Sequence, residues 1–538
     1  MKLPPSSHAG LNPNKLEHLY YAYSLAGSTL LAVGGLIYRI DRVHCWNWPP
    51  LATGLAYSLI FLLALALLTI SWLGLANLCI GRPLRAVADA PTLPAEQLPT
   101  PMRIMLLGLL VNLVALSVPP FLADDSLAYA AVGRTMFTYH RDMYTPLGEA
   151  LPPTDIFRIA IGNNESWYTV GSAYSPGFNW LAYAVSYLAG ESMLLHLRLF
   201  QLISLGAALL TAAIAGQAAK EWSLQQGPHT PTLLPGAPAV SVGRQVAARA
   251  MALVMFCPLT IVEASNNAHN DIIMAVSVAL FALFVVRRRP FWAFIALLIG
   301  PLIKASGLLV LGLYTIHLTL SRWQVRLPRL GPGQSRRLRL LVAGVAVGLT
   351  VLTVWLLFPW LERYSSTTAR MLGSPSDKLP YCTRSIECLP RGFLHMVLGM
   401  PAASWVVGLC FRAAGGAFLL YMAIRSERGA RHLTWVASFL CLYYLILHGY
   451  SQSWYLLSLL PLLSFADGRL RPVMLTMCVS NLAYYAIDFP FSCDHSPLTV
   501  GITEVLQGLI VVFPPMFVLI RGLRRVRRGS GPRRARTK

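Results

Sequence analysis

Residues 291–318 read FWAFIALLIGPLIKASGLLVLGLYTIHL, and the topology turns on how this run is divided. It is longer than the roughly 20 residues that cross a hydrocarbon core as one helix, and too short for two full crossings. Pro301, Lys304 and Gly307 interrupt its middle; proline removes a backbone donor, glycine loosens the helix and an ammonium is costly in lipid. The run is expected to be a hairpin of two short helices that meet inside the protein. Basic residues flank it on both sides, Arg287 to Arg289 before and Arg322 and Arg326 after, and a hairpin returns the chain to the side it left.

The surrounding sequence is of the same kind. Of 538 residues 55% are hydrophobic and only 12% charged, with a mean hydropathy of +0.55, whereas a soluble domain carries about 25% charged residues. Apolar runs recur near 17–37, 52–76, 103–119, 195–216, 247–263, 271–286, 340–359, 402–424, 432–448, 452–466, 472–488 and 500–521. Backbone groups facing lipid must be satisfied within the segment, and the alternating pattern of a barrel strand is absent, so the expected fold is all-α, polytopic and transmembrane. With the hairpin counted as two, about 14 spans result, in one domain over 1–521 followed by a basic tail, 522–538.

The formal net charge of +22 would suit nucleic acid, but the basic residues lie in short loops between apolar runs. Arg82, Arg85, Lys220, Arg244, Arg287 to Arg289, Arg322, Arg326, Arg336, Arg337, Arg339, Arg425, Arg428, Arg431, Arg469, Arg471 and the tail from Arg521 to Lys538 all fall on one side if the N-terminus starts there. This is the positive-inside pattern, with both termini cytoplasmic. Met1 to Lys15 lacks a cleavable-signal pattern, so the first run is expected to remain a span. The tail suits anionic lipid and equally a solvated charge run.

Two long segments remain for the opposite face, about 120–194 and 360–401. The first contains Ser175-Pro176-Gly177 and an apolar stretch to Gly190; counting it as a span would invert every later loop, so it is expected to lie in the interface. Among nine cysteines no metal-type spacing occurs. Cys382 and Cys388 share the second segment, where a small disulfide and two free thiols are both open.

Four polar clusters fall on this face. Asp124 and Asp125 follow the apolar run ending near Leu122; carboxylates at a membrane boundary are costly unless hydrated, paired or used, although a polar helix start also fits. His269-Asn270-Asp271, preceded by Glu263, Asn266 and Asn267, is too dense for capping alone and indicates a hydrated cavity. Lys304, between apolar neighbours, requires an anionic partner, for which a phosphate is one candidate and snorkelling the alternative. His448, Tyr450, Gln452, Trp454 and Tyr455 form a polar aromatic turn that suits sugar faces and an interfacial belt alike, as do Trp167, Tyr168, Tyr174 and Trp180.

The stretches Asp125-Ser126-Leu127-Ala128-Tyr129 with Gly133-Arg134 and Met143-Tyr144, then Ser172-Ala173-Tyr174-Ser175-Pro176-Gly177, resemble the first outer loop of GT-C polyprenol-phosphate-dependent glycosyltransferases. The likeness is greatest to the actinobacterial alpha-(1→6)-mannosyltransferases of lipomannan assembly. His269-Asn270-Asp271, Lys304-Ala305-Ser306 and Gln452-Ser453-Trp454-Tyr455-Leu456-Leu457 follow in the matching order, so the resemblance covers about 120–465. Met143 and Ser453 stand where that family commonly has proline nearby, and Asp124 is an additional carboxylate.

The resemblance implies a hexosyltransferase, by family a mannosyltransferase, that takes its sugar from a polyprenyl-phosphate donor and passes it to a lipid-linked or glycan acceptor. Asp125 would be the catalytic base, with Asp124 its competitor for the role. His269 would orient or protonate the donor phosphate, Lys304 would bind it, and Asp271 would hold His269 or the acceptor. Asn270, Tyr129, Tyr144, Tyr174, Gln452, Trp454 and Tyr455 would line the substrate site. No cofactor is required; a divalent metal could replace part of this charge stabilisation, although no residue spacing demands one. Two other readings compete. A lipid-linked glycan flippase should carry polar groups at several depths rather than on one face, and an O-antigen-ligase-like enzyme with a pyrophosphate donor would use Arg363, Arg370, Lys378 and Arg384.

Overall fold

The computed structural model describes residues 13–42, 50–80, 98–161, 168, 171–226, 239–320, 341, 344–345, 347–355, 386, 390, 400–425, 431–447, 452–466, 468–491 and 497–529. Every regular element among them is helical. Among the described residues four helices are long and apolar enough to cross a membrane, Asn14–Tyr38, Thr53–Leu78, Met193–Gln225 and Val505–Arg524. A fifth crossing results if Ser241–Met255 and Thr260–Asn266, bent by 63° against each other, count as one. Leu59, Leu63, Leu202 and Leu210 on these helices are exposed, as lipid contact requires. The protein is a helical membrane protein.

Helix starts follow local chemistry. Pro50, Pro101, Pro176, Pro290, Pro401 and Pro497 each open a helix, where the missing N–H costs nothing and φ is preset. The hydroxyls of Thr100 and Ser192 accept from Arg103 N at 3.3 Å and Leu195 N at 3.2 Å, N-capping Pro101–Leu116 and Met193–Gln225. Small residues let the helices approach one another: Gly74 lies against the ring of Tyr20, and Gly216 against Met251. Ala208, Ala212 and Ala215 of Met193–Gln225 are buried where that helix packs on Ala239–Met255.

Residues 291–318 divide into Pro290–Ile303 and Gly307–Leu320. A side chain at Gly307 would collide with the backbone of Gly300 and Pro301, so only glycine lets the two halves close on each other. Pro176–Ala189 is a separate 14-residue helix, about 21 Å long at 1.5 Å per residue and too short to cross. Its Trp180, Tyr187 and Leu188 are exposed.

Elsewhere the apolar runs and the helices part company. The run at 452–466 is a buried 3₁₀ helix, Ser453–Leu462, interrupted by Pro461, so its apolarity answers to protein packing rather than to lipid. The run at 432–448 is Arg431–Leu442 followed by a π-helical turn, Tyr443–Leu447, and that at 472–488 is Leu470–Ala483 and Tyr485–Phe491. Most of 340–401, with Cys382, Cys388, Arg363, Arg370, Lys378 and Arg384, and likewise Trp167, His448 and Tyr450, lie outside the described residues.

The described residues form two apolar cores. The larger joins the long helices. The smaller is built from Leu127 to Val132, Leu147, Phe157, Tyr174, Phe178 and Val185 of the 120–194 segment, and it reaches Phe200 of the following helix and Ile303 at the hairpin break. The candidate site lies where the two meet.

Candidate active site

The chain that leads to Asp125 is clamped before it arrives. The guanidinium of Arg198 donates to the carbonyls of Leu116, Ser117 (2.8 Å) and Val118 (3.2 Å), so the last carbonyls of Pro101–Leu116 are satisfied by a side chain. The Asn266 amide donates to Ala115 O at 3.0 Å, and Asn267 Oδ1 accepts from Leu122 N at 3.3 Å. These two asparagines therefore fasten the 260–268 segment to the stretch that presents Asp125.

Asp125 is the first residue of the helix Asp125–Phe137, a position where the helix dipole favours a carboxylate. Its Oδ2 accepts from Tyr174 OH at 3.1 Å and lies 3.3 Å from His269 Nδ1; among the described residues Oδ1 has no partner. Tyr174 is itself fixed, since its N–H donates to Ser172 Oγ at 3.1 Å and its carbonyl accepts from Asn179 Nδ2 at 3.1 Å and Tyr144 OH at 3.4 Å. Burial pushes the Asp125 carboxyl up, but His269, Lys304 and Tyr174 outweigh it and hold the group below the ordinary carboxylate value.

His269 sits in the turn between Thr260–Asn266, a π-helical segment, and Asp271–Val286. The residue before it, Ala268, adopts a left-handed φ of 61°, a conformation costing an L-residue about 1 kcal/mol and one that accumulates at functional sites. The fully buried ring stacks on Trp454 with centroids 4.0 Å apart and planes 10° from parallel. Its Nε2 is 3.3 Å from Glu263 Oε2, so each ring nitrogen faces a carboxylate. Both are ion-pair contacts rather than aligned hydrogen bonds. Burial opposes the charged ring, yet Asp125 and Glu263 together raise its pKa to about 9.

Lys304 occupies the non-helical break of the hairpin. Its Nζ donates to Asp271 Oδ2 at 2.7 Å and stands 4.2 Å from the centroid of the Tyr455 ring. The side chains of Asp125 and Lys304 are 15% and 13% exposed, whereas those of His269, Glu263 and Asp271 are fully buried. Of these five groups, Asp125 and Lys304 are the ones with exposed surface, beside the half-buried rings of Trp454 and Tyr455. Among the described residues no group of three or more His, Cys, Asp or Glu is arranged to hold a metal.

Several expectations change. Asp271 is the contact partner of Lys304 rather than of His269, so the anion that Lys304 required is supplied within the chain. With both nitrogens facing carboxylates and no exposed surface, His269 has no N–H to offer a donor phosphate. Asp124 precedes the helix, where its carbonyl accepts from Ala128 N at 3.0 Å; the contacts to His269 and Tyr174 belong to Asp125. Tyr129 is buried against Tyr174, Phe178 and Phe200 and supports the site from behind, as Tyr144 does through Tyr174. Gln452 and Asn270 are buried too, and neither makes a side-chain cap bond to the helix that follows it.

The role of Glu263 had no local signal beyond the polar density of 263–271. Its partners are the Asn267 amide at 2.9 Å and the Ser453 hydroxyl, the latter 190 positions away. Ser453, which stands in place of a proline in the resemblance, is thus a donor to Glu263, and Met143, the other departure, accepts from Asn179 Nδ2 through its sulfur at 3.0 Å. No family model matches the chain, and no curated protein matches it.

Proposed function

We propose that the protein is a membrane-embedded inverting glycosyltransferase of GT-C type that moves a hexose, mannose on the resemblance, from a polyprenyl-phosphate donor to a hydroxyl of a lipid-linked or glycan acceptor. In this reading about 14 spans hold both termini in the cytoplasm, and the site opens to the opposite face. The observation that carries it is the Asp125 carboxylate, kept ionised and oriented through Oδ2, with Oδ1 left for a substrate proton.

Asp125 takes the proton of the acceptor hydroxyl while that oxygen bonds to the anomeric carbon. The bond from that carbon to the phosphate oxygen breaks on the opposite side, and its electron pair leaves with the lipid phosphate, inverting configuration. Lys304 has three N–H donors; with one on Asp271, the others are available to the charge that grows on the departing phosphate. Trp454 and Tyr455 offer ring faces to a sugar.

The test is transfer itself. Purified protein given polyprenyl-phosphate-mannose and a mannosylated lipid should release polyprenyl phosphate and extend the acceptor by one sugar. Asp125→Asn should abolish both, with an unchanged helical circular dichroism spectrum; full turnover in that variant would overturn the assignment of the base.

A further inference from the structure

Glu263 lies fully buried in the π-helical segment, and its carboxylate is engaged on both oxygens. Oε2 accepts from Asn267 Nδ2 at 2.9 Å and lies 3.3 Å from His269 Nε2, while Oε1 accepts the Ser453 hydroxyl. On the other side of the same ring Nδ1 faces Asp125 Oδ2 at 3.3 Å. A neutral imidazole has a proton on one nitrogen only and would turn a lone pair toward one of these carboxylates. Around a fully buried ring that repulsion is poorly screened. The arrangement therefore calls for a proton on each nitrogen, and the parallel indole of Trp454 at 4.0 Å suits a flat cation.

We infer that Glu263 is a positioning residue: by holding the far nitrogen of His269, it keeps the ring charged and locked in the plane that fixes the Asp125 carboxylate. The inference rests on Asp125 being the proton acceptor of the proposed reaction. Asp125 gains a proton in that step and loses its negative charge, and with it one of the two carboxylate contacts on His269. Glu263 retains the imidazolium through this interval, so the ring neither turns nor passes its proton on, and Asp125 is returned to the same place for the next turnover.

Among the described residues, the charged and titratable groups around His269 come from five elements. They are Asp125 and Tyr174 from the 120–194 segment, Glu263 from the π-helical segment, Asp271 from the next helix, Lys304 from the hairpin break and Tyr455 beside the stacked Trp454. Asp125 and Glu263 are the two in ion-pair contact with the ring, and they account for its pKa of about 9 against the ordinary 6.5. Loss of one contact carboxylate typically moves a partner by about 1 unit or more.

The experiment titrates His269 in the whole protein, in lipid nanodiscs, by nuclear magnetic resonance of labelled histidines. The ring is one of 12 histidines, and its signal is the one missing from His269→Gln. The expected midpoint is near 9, falling by about 1 unit or more in Glu263→Gln. The alkaline limb of the transfer rate should fall with it, leaving the donor KM within about twofold, and Glu263→Asp should restore part of the shift. A midpoint that Glu263→Gln leaves in place overturns the inference. So does a wild-type midpoint at the ordinary 6.5, which serves even if the variant does not fold. If the titration behaves as expected but no sugar is transferred, the reaction assigned to the site fails while the two-carboxylate grip on His269 stands.

Discussion

Replacing Lys304 by methionine separates what this residue does for the fold from what it does for a substrate. Its ammonium is 2.7 Å from Asp271 Oδ2, and the carboxylate is fully buried. Without the cation, Asp271 either stays ionised, where breaking a buried pair costs about 3–5 kcal/mol, or takes up a proton. Protonation at pH 7 lies about 3 pH units above the ordinary carboxylate value and costs about 4 kcal/mol. Both routes lead to about 4 kcal/mol for Lys304→Met. The double variant Lys304→Met with Asp271→Leu leaves no charge unpaired at this contact and should recover to within about 1–2 kcal/mol of the native protein. Urea unfolding in micelles, followed by tryptophan fluorescence, reads these differences. Donor-dependent turnover should be lost in the single and the double variant alike. A single variant within about 1 kcal/mol of wild type would refute the energetic reasoning, and a stable double variant with full donor dependence would remove Lys304 from the phosphate.

The held-down Asp125 carboxyl sets the acid limit of the site: its pKa is below the ordinary value when folded, so its share of stability is present above that ordinary value and lost as pH falls through the lowered one. Transfer should therefore persist to pH about 5 when measured against pH at saturating donor, and a loss of rate centred near neutrality would contradict it. Arg134 and Asp155, both buried, pair at 2.8 Å, and Asp155 also accepts from Tyr139 OH at 2.7 Å and Phe157 N at 2.8 Å. Asp155→Ala should cost about 3–5 kcal/mol, softened by Glu191 on the same guanidinium. Limited proteolysis should then cut within 125–189 first, and an unchanged cleavage pattern would count against the smaller core as a separate unit.

Sequence made the helical membrane class legible because hydropathy is additive along a segment. It could not tell a helix that faces lipid from one that faces protein: 452–466 has the apolarity of a span and is a buried 3₁₀ segment. The separate roles of Asp124 and Asp125 were likewise invisible, since which neighbour meets Tyr174 and His269 depends on where the helix begins. For His269, proximity along the chain suggested Asp271, but the intervening backbone starts a new helix and turns that carboxylate toward Lys304. The partners that matter, Asp125 and Glu263, are brought to the ring by a left-handed residue and a π-helical segment, neither of which has a hydropathy signature. Ser453 and Trp454 arrive from far along the chain, beyond the reach of any periodicity.

Thr260–Asn266 carries Glu263 and ends just before the left-handed Ala268, so the direction of His269 is set by the number of residues wound into 260–268. An α-helix turns about 100° for each residue, and a π turn holds the extra one as slack. Losing a single residue here would let the segment rewind as ordinary α-helix with its burial intact, while swinging the imidazole about a quarter-turn away from Asp125. Across this stretch length is under tighter constraint than identity: most single apolar exchanges should be absorbed, whereas a one-residue deletion would leave a well-packed protein whose histidine points at the wrong wall.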